Sequence, residues 1–477
     1  MINKYLEQQI KEYFHFEPTF EQARCICSIS DFLFSQEKSV IFLLKGFAGT
    51  GKTSLVGALV HALDRLEQKV VLLAPTGRAA KVFSVYAGHP AYTIHKKIFR
   101  QRNYSNEMSN YVLAENLYQR TLFIVDEASM IANEGLGGIL GSGRLLDDLV
   151  QFVYSGSDCR LMLLGDTAQL PPVNETLSPA LNVKILEGYG MRVQLEQLTQ
   201  VVRQSIDSGI LYNATHLRQL MDEEDFCKLP QIQLGFFDVH IVSGEDLIES
   251  LTDSYSKVAM ENTIVVTRSN KRANIYNRGI RNSILFREEE LTSGDLLMIV
   301  KNNYFWTKGC KELEFIANGD IAEVRRVRRT REMYGFRFAD VLLSFPDYND
   351  LELDTTVLLD TLQSESPALS REDNDRLFNT ILEDYADISQ KRERMKKMKI
   401  DPYYNALQVK YAYAVTCHKA QGGQWKHVYL DQGYMTEEML GPDYFRWLYT
   451  ALTRATENLY LVNWPDKQIE NFSNEVK

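Results

Sequence analysis

The chain has 477 residues, of which 45% are hydrophobic, and this is the composition of a globular protein with roughly three or four domains. It has no run of about 18 apolar residues and no signal-peptide core, so we expect a cytoplasmic protein whose six cysteines are free. The net charge of −10 disfavours nucleic acid as a partner, but basic clusters at residues 324–331 and 391–399 make the distribution of charge more informative than its sum.

Four short apolar runs in the first part of the chain are predicted to be buried strands. Each is too short for a helix and is rich in β-branched or aromatic residues. Helix-like segments separate the runs, and this alternation predicts a parallel sheet with helices on both faces. Ligands bind beyond the carboxyl ends of the strands in such sheets, and each run ends in polar residues. The four runs span residues 40–46, 70–76, 121–127 and 160–166.

The first run leads into GFAGTGKT, which fits the G-x-x-x-x-G-K-[ST] loop that surrounds nucleotide phosphates. Lys52 is predicted to neutralise the β- and γ-phosphates of ATP, and the Thr53 hydroxyl is predicted to bind Mg²⁺. The helix that begins near Lys52 adds its positive end. The preceding strand and the following helical segment favour this function over a chance glycine-rich turn. The other loop residues predicted to bind the nucleotide are Gly46, Ala48, Gly49, Thr50 and Gly51.

The third and fourth runs end in residues that fit the same ATP site. Asp126 and Glu127 follow one strand, where a carboxylate can hold Mg²⁺ and its neighbour can orient or deprotonate the attacking water. Gln169 follows the other strand, in GDTAQLPPV, and could hydrogen-bond the γ-phosphate or the water. An isolated Asp-Glu pair is usually surface charge, but its place behind a phosphate loop favours catalysis.

Further segments combine hydroxyls, imidazoles and cations. APTGRAAKVF carries Thr76 near Arg78 and Lys81, and these residues fit close approach to a polyanion backbone. A hydroxyl and an imidazole also occur together in TIHKKIF and in TCHKAQGGQW, and YTALTRA contains Arg454. Each segment alone would also fit an ordinary turn or a solvated surface.

A second set of short apolar runs predicts a second α/β lobe without a phosphate loop. Between its strands, a segment that alternates apolar and polar residues around Gly-Asp turns predicts a small antiparallel β-domain. The charged, periodic residues 370–399 are predicted to be helical. The runs span residues 262–270, 410–416, 425–431 and 458–464. The predicted domains are a first lobe at 1–190, an insertion at 286–405, and a second lobe at 191–285 and 406–477.

The chain resembles the RecD/Dda-like branch of the superfamily 1 helicases over nearly its whole length. This resemblance implies two RecA-like lobes, a pin insertion in the first and an SH3-like insertion in the second. It also implies an ATP- and Mg²⁺-dependent DNA helicase that moves 5′ to 3′ on single-stranded DNA as a monomer and acts in repair and recombination. The segments that match successive motifs of the family are FEPTFEQ, GFAGTGKT, APTGRAAK, TIH, VDEAS, GDTAQLPPV, LTQVVRQ, AYAVTCHKAQG and LYTALTRA.

The resemblance implies roles for single residues. Gln22 matches the adenine reader, and Arg203 and Arg454 match two arginines that reach the γ-phosphate from the other lobe. Gln424 stands where the family usually has an acid that contacts the ribose, and it can still hydrogen-bond there. The residues that match strand-holding positions are Pro75, Thr76, Thr93, His95, Thr416 and His418.

Residues 96–120 lie where the family has a strand-splitting pin. We expect Phe99 to stack on the base at the DNA fork, with Tyr104 and Tyr111 as the next candidates. An ordinary surface connection is the alternative interpretation of this segment.

Two other functions stay open from the sequence. An RNA helicase or RNA-protein remodeller shares the same core and differs in its contacts to the 2′-hydroxyl. A P-loop ATPase switch or small-molecule kinase would need no nucleic acid, and the two predicted arginines and the strand-holding positions count against it.

Overall fold

The structure is a computed structural model that describes residues 2–14, 16–101, 111–133, 142–201, 207–310, 313 and 315–470. The chain forms two α/β lobes, each built on a parallel sheet, and a closed β-barrel inserted into the second lobe. This architecture confirms the predicted fold class. Among the described residues, no helix is long and apolar enough to cross a membrane.

The first lobe contains a six-stranded sheet in the order β3-β2-β6-β7-β1-β8, in which every neighbouring pair is parallel. Its strands are β1 (Val40–Gly46), β2 (Val70–Ala74), β3 (Ala91–Thr93), β4 (Phe99–Gln101), β5 (Tyr111–Leu113), β6 (Leu122–Val125), β7 (Arg160–Gly165) and β8 (Arg192–Leu198), with β4 and β5 outside the sheet. Its helices are α1 (Ile2–Tyr13), α2 (Phe20–Phe34), α3 (Lys52–Arg65), α4 (Gly77–Ala87), α5 (Ile94–Ile98), α6 (Leu145–Ser155) and α7 (Val183–Glu187). Apolar residues on both faces of the sheet are buried, as expected for strands covered by helices on each side.

All four predicted strands of this lobe are present, as β1, β2, β6 and β7. The predicted boundary at residue 190 is wrong for the strand that follows it. Strand β8 pairs in parallel with β1 at the edge of the first sheet, so it belongs to the first lobe. It alternates between exposed and partly buried residues, so it lacks the continuous apolar run that marks a central strand.

A short antiparallel hairpin lies where the pin is expected. Strand β4 pairs with β5, Phe99 lying opposite Leu113. The residues between β4 and β5, 102–110, which include Tyr104, lie outside the described residues.

The second lobe contains a five-stranded parallel sheet in the order β10-β19-β18-β11-β17. The barrel closes in the order β12-β13-β14-β15-β16. The strands of this half are β9 (Ile232–Gln233), β10 (Val239–Val242), β11 (Thr263–Thr267), β12 (Leu296–Ile299), β13 (Ile321–Met333), β14 (Phe336–Phe345), β15 (Leu351–Leu358), β16 (Leu407–Tyr411), β17 (Ala414–Thr416), β18 (Trp425–Asp431), β19 (Ala455–Val462) and β20 (Ile469–Glu470). The helices are α8 (Gly209–Asp222), α9 (Leu247–Val258), α10 (Asn270–Ser283), α11 (Arg371–Asp384), α12 (Lys391–Lys399), α13 (Cys417–Ala420) and α14 (Pro442–Leu452).

The charged segment 370–399 forms the two helices α11 and α12, as its periodicity predicts. They pack on the barrel through a small separate core. Its buried members are Phe336, Phe338, Leu358, Leu377, Ile381 and Met398.

The run at residues 410–416 was expected to be one strand of the second lobe, and the structure corrects this. Strand β16 completes the barrel up to Tyr411, and β17 then joins the lobe sheet from Ala414. A buried ion cluster fixes this junction. Asp295 is fully buried and accepts hydrogen bonds from Arg281 Nε at 3.0 Å, Arg287 Nη1 at 2.7 Å and Tyr413 Oη at 2.8 Å.

The barrel also packs against α4 of the first lobe. The hydroxyl of Tyr348 donates to buried Asp320 at 3.1 Å, and a Cβ placed on Gly77 would lie 2.4 Å from that hydroxyl oxygen. Lys81 donates to the carbonyl oxygen of Pro346 at 2.8 Å and pairs with Asp347 at 3.2 Å. The start of α4 therefore fits closely against the inserted domain.

Candidate active site

The two lobes face each other across a cleft of about 380 Å³, and loops at the carboxyl ends of β1, β6 and β7 line its first wall. This is the edge at which parallel sheets bind ligands. The second lobe supplies the opposite wall. The predicted ATP-site residues that line the cleft are Ala48, Gly49, Gly51, Lys52, Thr53, Asp126, Glu127, Gln169, Gln424 and Arg454.

The phosphate loop connects β1 to α3 through two residues in the left-handed region, Gly49 at φ +74° and Gly51 at φ +78°. Glycine adopts this conformation without steric cost. The Lys52 side chain folds back over the loop, where its Nζ donates to the carbonyl oxygens of Gly46 and Phe47, the latter at 3.0 Å. The cation is therefore held at the position where nucleotide phosphates are expected.

Gln22 lies in the first turn of α2 and hydrogen-bonds to the backbone of the phosphate loop. Its Nε2 donates to the carbonyl oxygen of Thr50 at 3.0 Å, and its Oε1 accepts from Thr19 N at 2.9 Å in a capping box. The side chain is 2% exposed. Both ends of the amide are thus engaged within the protein, and reading adenine would require the amide to exchange one of these partners.

The carboxylates Asp126 and Glu127 follow β6. Burial, and then the neighbouring Glu127 carboxylate, raise the pKa of Asp126 to about 7. Glu127 adopts φ +51°, a strained conformation for a residue with a side chain, of the kind found at functional sites. Two adjacent acids that share a partly buried position are stabilised by a cation.

Thr53 and Asp126 fit the role of magnesium ligands. The hydroxyl and the carboxylate line the same cleft and offer the oxygen atoms that Mg²⁺ prefers. Among the described residues, no group of three or more acidic, histidine or cysteine side chains is arranged so that it could hold a metal ion. A site with one carboxylate and one hydroxyl suits an ion that takes its remaining ligands from water and substrate phosphates.

Gln169 and Arg454 face the cleft from opposite lobes. The Oε1 atom of Gln169 is buried and has no hydrogen-bond partner among the described residues, so it can accept a hydrogen bond from a water in the cleft. Arg454 is 3% exposed, and its guanidinium donates to the carbonyl oxygens of Thr450 at 3.0 Å and Gly423 at 3.2 Å. No carboxylate of the described chain forms an ion pair with Arg454. A buried cation of this kind is stabilised by an anionic ligand.

Arg203, the second predicted arginine, lies outside the described residues. Gln424 reaches the cleft from the second lobe, and its Oε1 accepts from the Tyr86 hydroxyl of α4 at 3.3 Å. The structure thus brings together all of the predicted catalytic residues except Arg203.

Two family models match the chain in order. A model described as an AAA domain matches residues 29–229, and a model described as a UvrD-like helicase C-terminal domain matches residues 411–462. The ATP-dependent RecD2 DNA helicase of Deinococcus radiodurans is 31% identical over 180 residues, which cover 36% of this chain and 21% of that protein. The chain is thus similar to helicases, RecD2 among them, over part of its length.

Two further relatives match most of this chain but differ in their own length. An uncharacterized protein of Acanthamoeba polyphaga mimivirus is 23% identical, over 89% of this chain and 96% of that protein. An uncharacterized protein of Methanocaldococcus jannaschii is 23% identical over 91% of this chain, which spans only 37% of that protein. A crystal structure of the Pif1 helicase from Bacteroides with ADP-AlF3 and ssDNA is 15% identical with a TM-score of 0.46, and covers 95% of this chain and 94% of that chain.

Several of the predicted strand-holding residues lie at the start of helices. The Thr76 hydroxyl accepts from Ala79 N at 3.2 Å and caps α4, and the Thr93 hydroxyl accepts from Lys96 N at 3.2 Å and caps α5. A hydroxyl that accepts a capping bond keeps its own proton to donate to a phosphate. On the second lobe, Thr416 begins α13 and His418 is exposed.

The His95 side chain is partly buried and the Phe99 side chain is buried. The His95 ring lies 5.9 Å from Phe99 and 6.2 Å from Phe315 of the inserted domain, and burial lowers the pKa of His95 to about 4. Phe99 is 5% exposed and belongs to the core of the first lobe. In this conformation its ring is not available to stack on a base, which favours a structural role for Phe99.

Sequence reasoning missed the side chains that join the two lobes. Arg78, expected near a polyanion, instead lies 4.0 Å over the Trp425 ring and donates to the carbonyl oxygen of Gln424 at 3.2 Å. Tyr449 begins the motif YTALTRA, but its role was not assigned; its hydroxyl contacts the phosphate loop. No local pattern signals such contacts, because their partners are distant in the chain.

Proposed function

We propose that the protein is an ATP-dependent DNA helicase that moves 5′ to 3′ along single-stranded DNA and separates the duplex ahead of it. The observation that carries this proposal is one cleft shared by two lobes. The phosphate loop and two carboxylates form one wall, and the buried Arg454 forms part of the other. A nucleotide that contacts both walls links its own hydrolysis to the distance between the lobes. The choice of DNA and the polarity rest on the family resemblance.

The proposed chemistry uses each wall for a different task. Lys52 and the backbone N–H groups of the loop bind the phosphates, while Thr53 and Asp126 hold Mg²⁺, which neutralises phosphate charge when it is bound. Glu127 orients or deprotonates the attacking water. Arg454, with Arg203 as the proposed second arginine, stabilises negative charge on the transferring phosphoryl group.

The proposed grip on the strand is directed at phosphates. Thr76 and Thr93 offer hydroxyl donors on the first lobe, and Thr416 and His418 offer polar groups on the second. Contacts of this type position a strand without reading its sequence. Alternating grip on the two lobes would move the strand as the cleft opens and closes, and opening each base pair costs about 1.4 kcal/mol of stacking.

The proposal includes the setting in which the enzyme works. All six cysteines are free, which suits the reducing cytoplasm. We expect a monomer to be active, because both walls of the ATP cleft come from one chain.

The test measures ATP hydrolysis with poly-dT, with poly-U and without nucleic acid, and then unwinding of forks that carry a 5′ or a 3′ single-stranded tail. We expect strong stimulation by poly-dT and unwinding from the 5′ tail, both lost in Lys52→Ala. Equal stimulation by poly-U would favour an RNA helicase. Hydrolysis that no strand stimulates would favour a nucleic-acid-independent ATPase, and unwinding only from the 3′ tail would reverse the proposed polarity.

A further inference from the structure

The hydroxyl of Tyr449 joins the two lobes beside the ATP cleft. Tyr449 lies on α14 of the second lobe and is 1% exposed. Its oxygen donates to Asp166 Oδ2 at 2.6 Å and accepts from the backbone N–H of Ala48 at 2.9 Å. Ala48 belongs to the phosphate loop, and Asp166 follows β7 and lines the cleft. One side chain of the second lobe therefore bonds to two first-lobe loops that face the expected phosphates.

Neighbouring contacts hold the same first-lobe segment. The Thr450 hydroxyl accepts from Leu170 N at 2.9 Å, and Gln421 Nε2 donates to the carbonyl oxygen of Leu170 at 2.7 Å. Leu170 directly follows Gln169. The segment from Asp166 to Leu170 is thus tied to the second lobe at both of its ends, so opening the cleft must break these bonds or pull the segment along.

The Tyr449 hydroxyl is also one of two described groups that hydrogen-bond to the buried carboxylate of Asp166. Asp166 is 1% exposed, burial raises its pKa, and the attraction of Lys52 opposes this shift. Burial also raises the pKa of Tyr449, so the hydroxyl keeps the proton that it donates. Without it, Asp166 would keep only its bond from Ala168 N at 2.9 Å among the described residues, and the Ala48 N–H would lose its partner. Unsatisfied buried groups of this kind move or take up water.

We propose that Tyr449 is a positioning residue that makes ATP hydrolysis depend on lobe closure, because it holds Asp166 and the start of the phosphate loop in their active arrangement. This inference rests on the proposed function and adds to the same site a contact that couples hydrolysis to lobe closure. Arg454 follows the same helix, so a single closing movement brings both the hydroxyl and the guanidinium to the first lobe. Tyr449 acts through Asp166 and Ala48 and is not among the residues that line the cleft.

The test is a double-mutant cycle between Tyr449→Phe and Asp166→Asn, with Tyr444→Phe as the control. Tyr444 lies on the same helix and is 2% exposed, and its hydroxyl also makes two bonds, to Gln432 at 2.8 Å and from Gln468 at 3.0 Å. Both of those partners lie within the second lobe. The control therefore measures the loss of a buried hydroxyl without a contact to the first lobe. Steady-state kcat and KM for ATP are measured at saturating poly-dT, together with thermal unfolding.

We expect Tyr449→Phe to lower kcat about tenfold, an activation free energy of about 1.4 kcal/mol, with KM changed less than about threefold. Tyr444→Phe should keep kcat within about twofold at a similar loss of Tm. The double variant should lie within about threefold of the slower single variant, because residues that act through each other are not additive.

Three results would overturn the inference. They are an unchanged kcat in Tyr449→Phe, a change confined to KM, and a double variant whose loss equals the product of the two single losses. If no strand stimulates the wild-type enzyme, the proposed function fails, and the same cycle on the unstimulated rate still tests Tyr449 separately.

Discussion

Replacing Arg454 by lysine tests whether the second lobe takes part in the chemistry. The substitution keeps the positive charge but removes the planar fork of the guanidinium. In the structure this fork donates to Thr450 O, Gly423 O and Thr453 Oγ1, at 3.0 to 3.2 Å. A lysine ammonium is a point charge that cannot reproduce this set of bonds and face a phosphate at the same time.

We expect Arg454→Lys to lower both kcat and folding stability, for different physical reasons. Arginines that contact a transferring phosphoryl group contribute about 10³ or more to kcat, so we expect a fall of about 10³, or about 4 kcal/mol in activation free energy. Each buried acceptor left without a donor costs about 1–3 kcal/mol of folding free energy. Stability should therefore fall as well, and the two effects must be measured apart.

Arg281→Lys is the matched control. Arg281 is 4% exposed, bonds to Asp295 within the second half of the chain and does not line the ATP cleft. Both variants should lose Tm, but only Arg454→Lys should lose turnover once hydrolysis is measured on folded protein at saturating ATP and poly-dT. If folded Arg454→Lys keeps kcat within about tenfold of the wild type, the arginine does not stabilise the transition state.

Three further predictions concern the carboxylates and the docking of the barrel. Glu127→Gln should still bind Mg-ATP in a fluorescence titration while turnover falls at least about 10²-fold, and normal turnover would contradict its role. Because the pKa of Asp126 is raised to about 7, protons compete with Mg²⁺ below that pH. The Mg²⁺ concentration that half-saturates hydrolysis should therefore rise by up to about tenfold from pH 8 to pH 6, and equal values at these two pH values would refute this. Gly77→Ala places a methyl group 2.4 Å from the Tyr348 hydroxyl oxygen and should lower the free energy of unfolding by about 1–3 kcal/mol. Adding Tyr348→Phe should restore part of this loss, as measured by thermal unfolding. An unchanged Tm would show that the barrel moves away from the added methyl group at little cost.

Central strands and the loops that follow them were predictable because they carry strong local patterns. Strand β1 begins and ends at the same residues as the apolar run that predicted it. The loop from Gly46 to Thr53 follows this strand and lines the cleft, as its phosphate-binding motif predicts. The edge strand β8 was assigned to the wrong lobe because its alternating polarity resembles a surface segment. The run at 410–416 is continuous in hydrophobicity, and nothing in it marks the point where the chain leaves the barrel.

Contacts between domains were not predictable from the sequence. The Tyr449 hydroxyl and the Ala48 N–H are 401 residues apart in the chain, and their bond depends on how two folded lobes meet. The same holds for Phe99, whose aromatic character among polar residues suggested exposure. Its burial in the core of the first lobe follows from the packing of β4 and α5, which composition does not reveal.

The ion cluster around Asp295 has a mechanical consequence. It fastens α10 of the second lobe to the first strand of the barrel and to the chain that leaves it, so no freely jointed linker separates the two. A rotation of the second lobe would therefore carry the barrel with it. Since the barrel also rests on α4 through Lys81 and Tyr348, such a rotation would have to shift or break these contacts with the first lobe. The ion cluster would thus transmit a movement of the second lobe to the contacts between the barrel and α4.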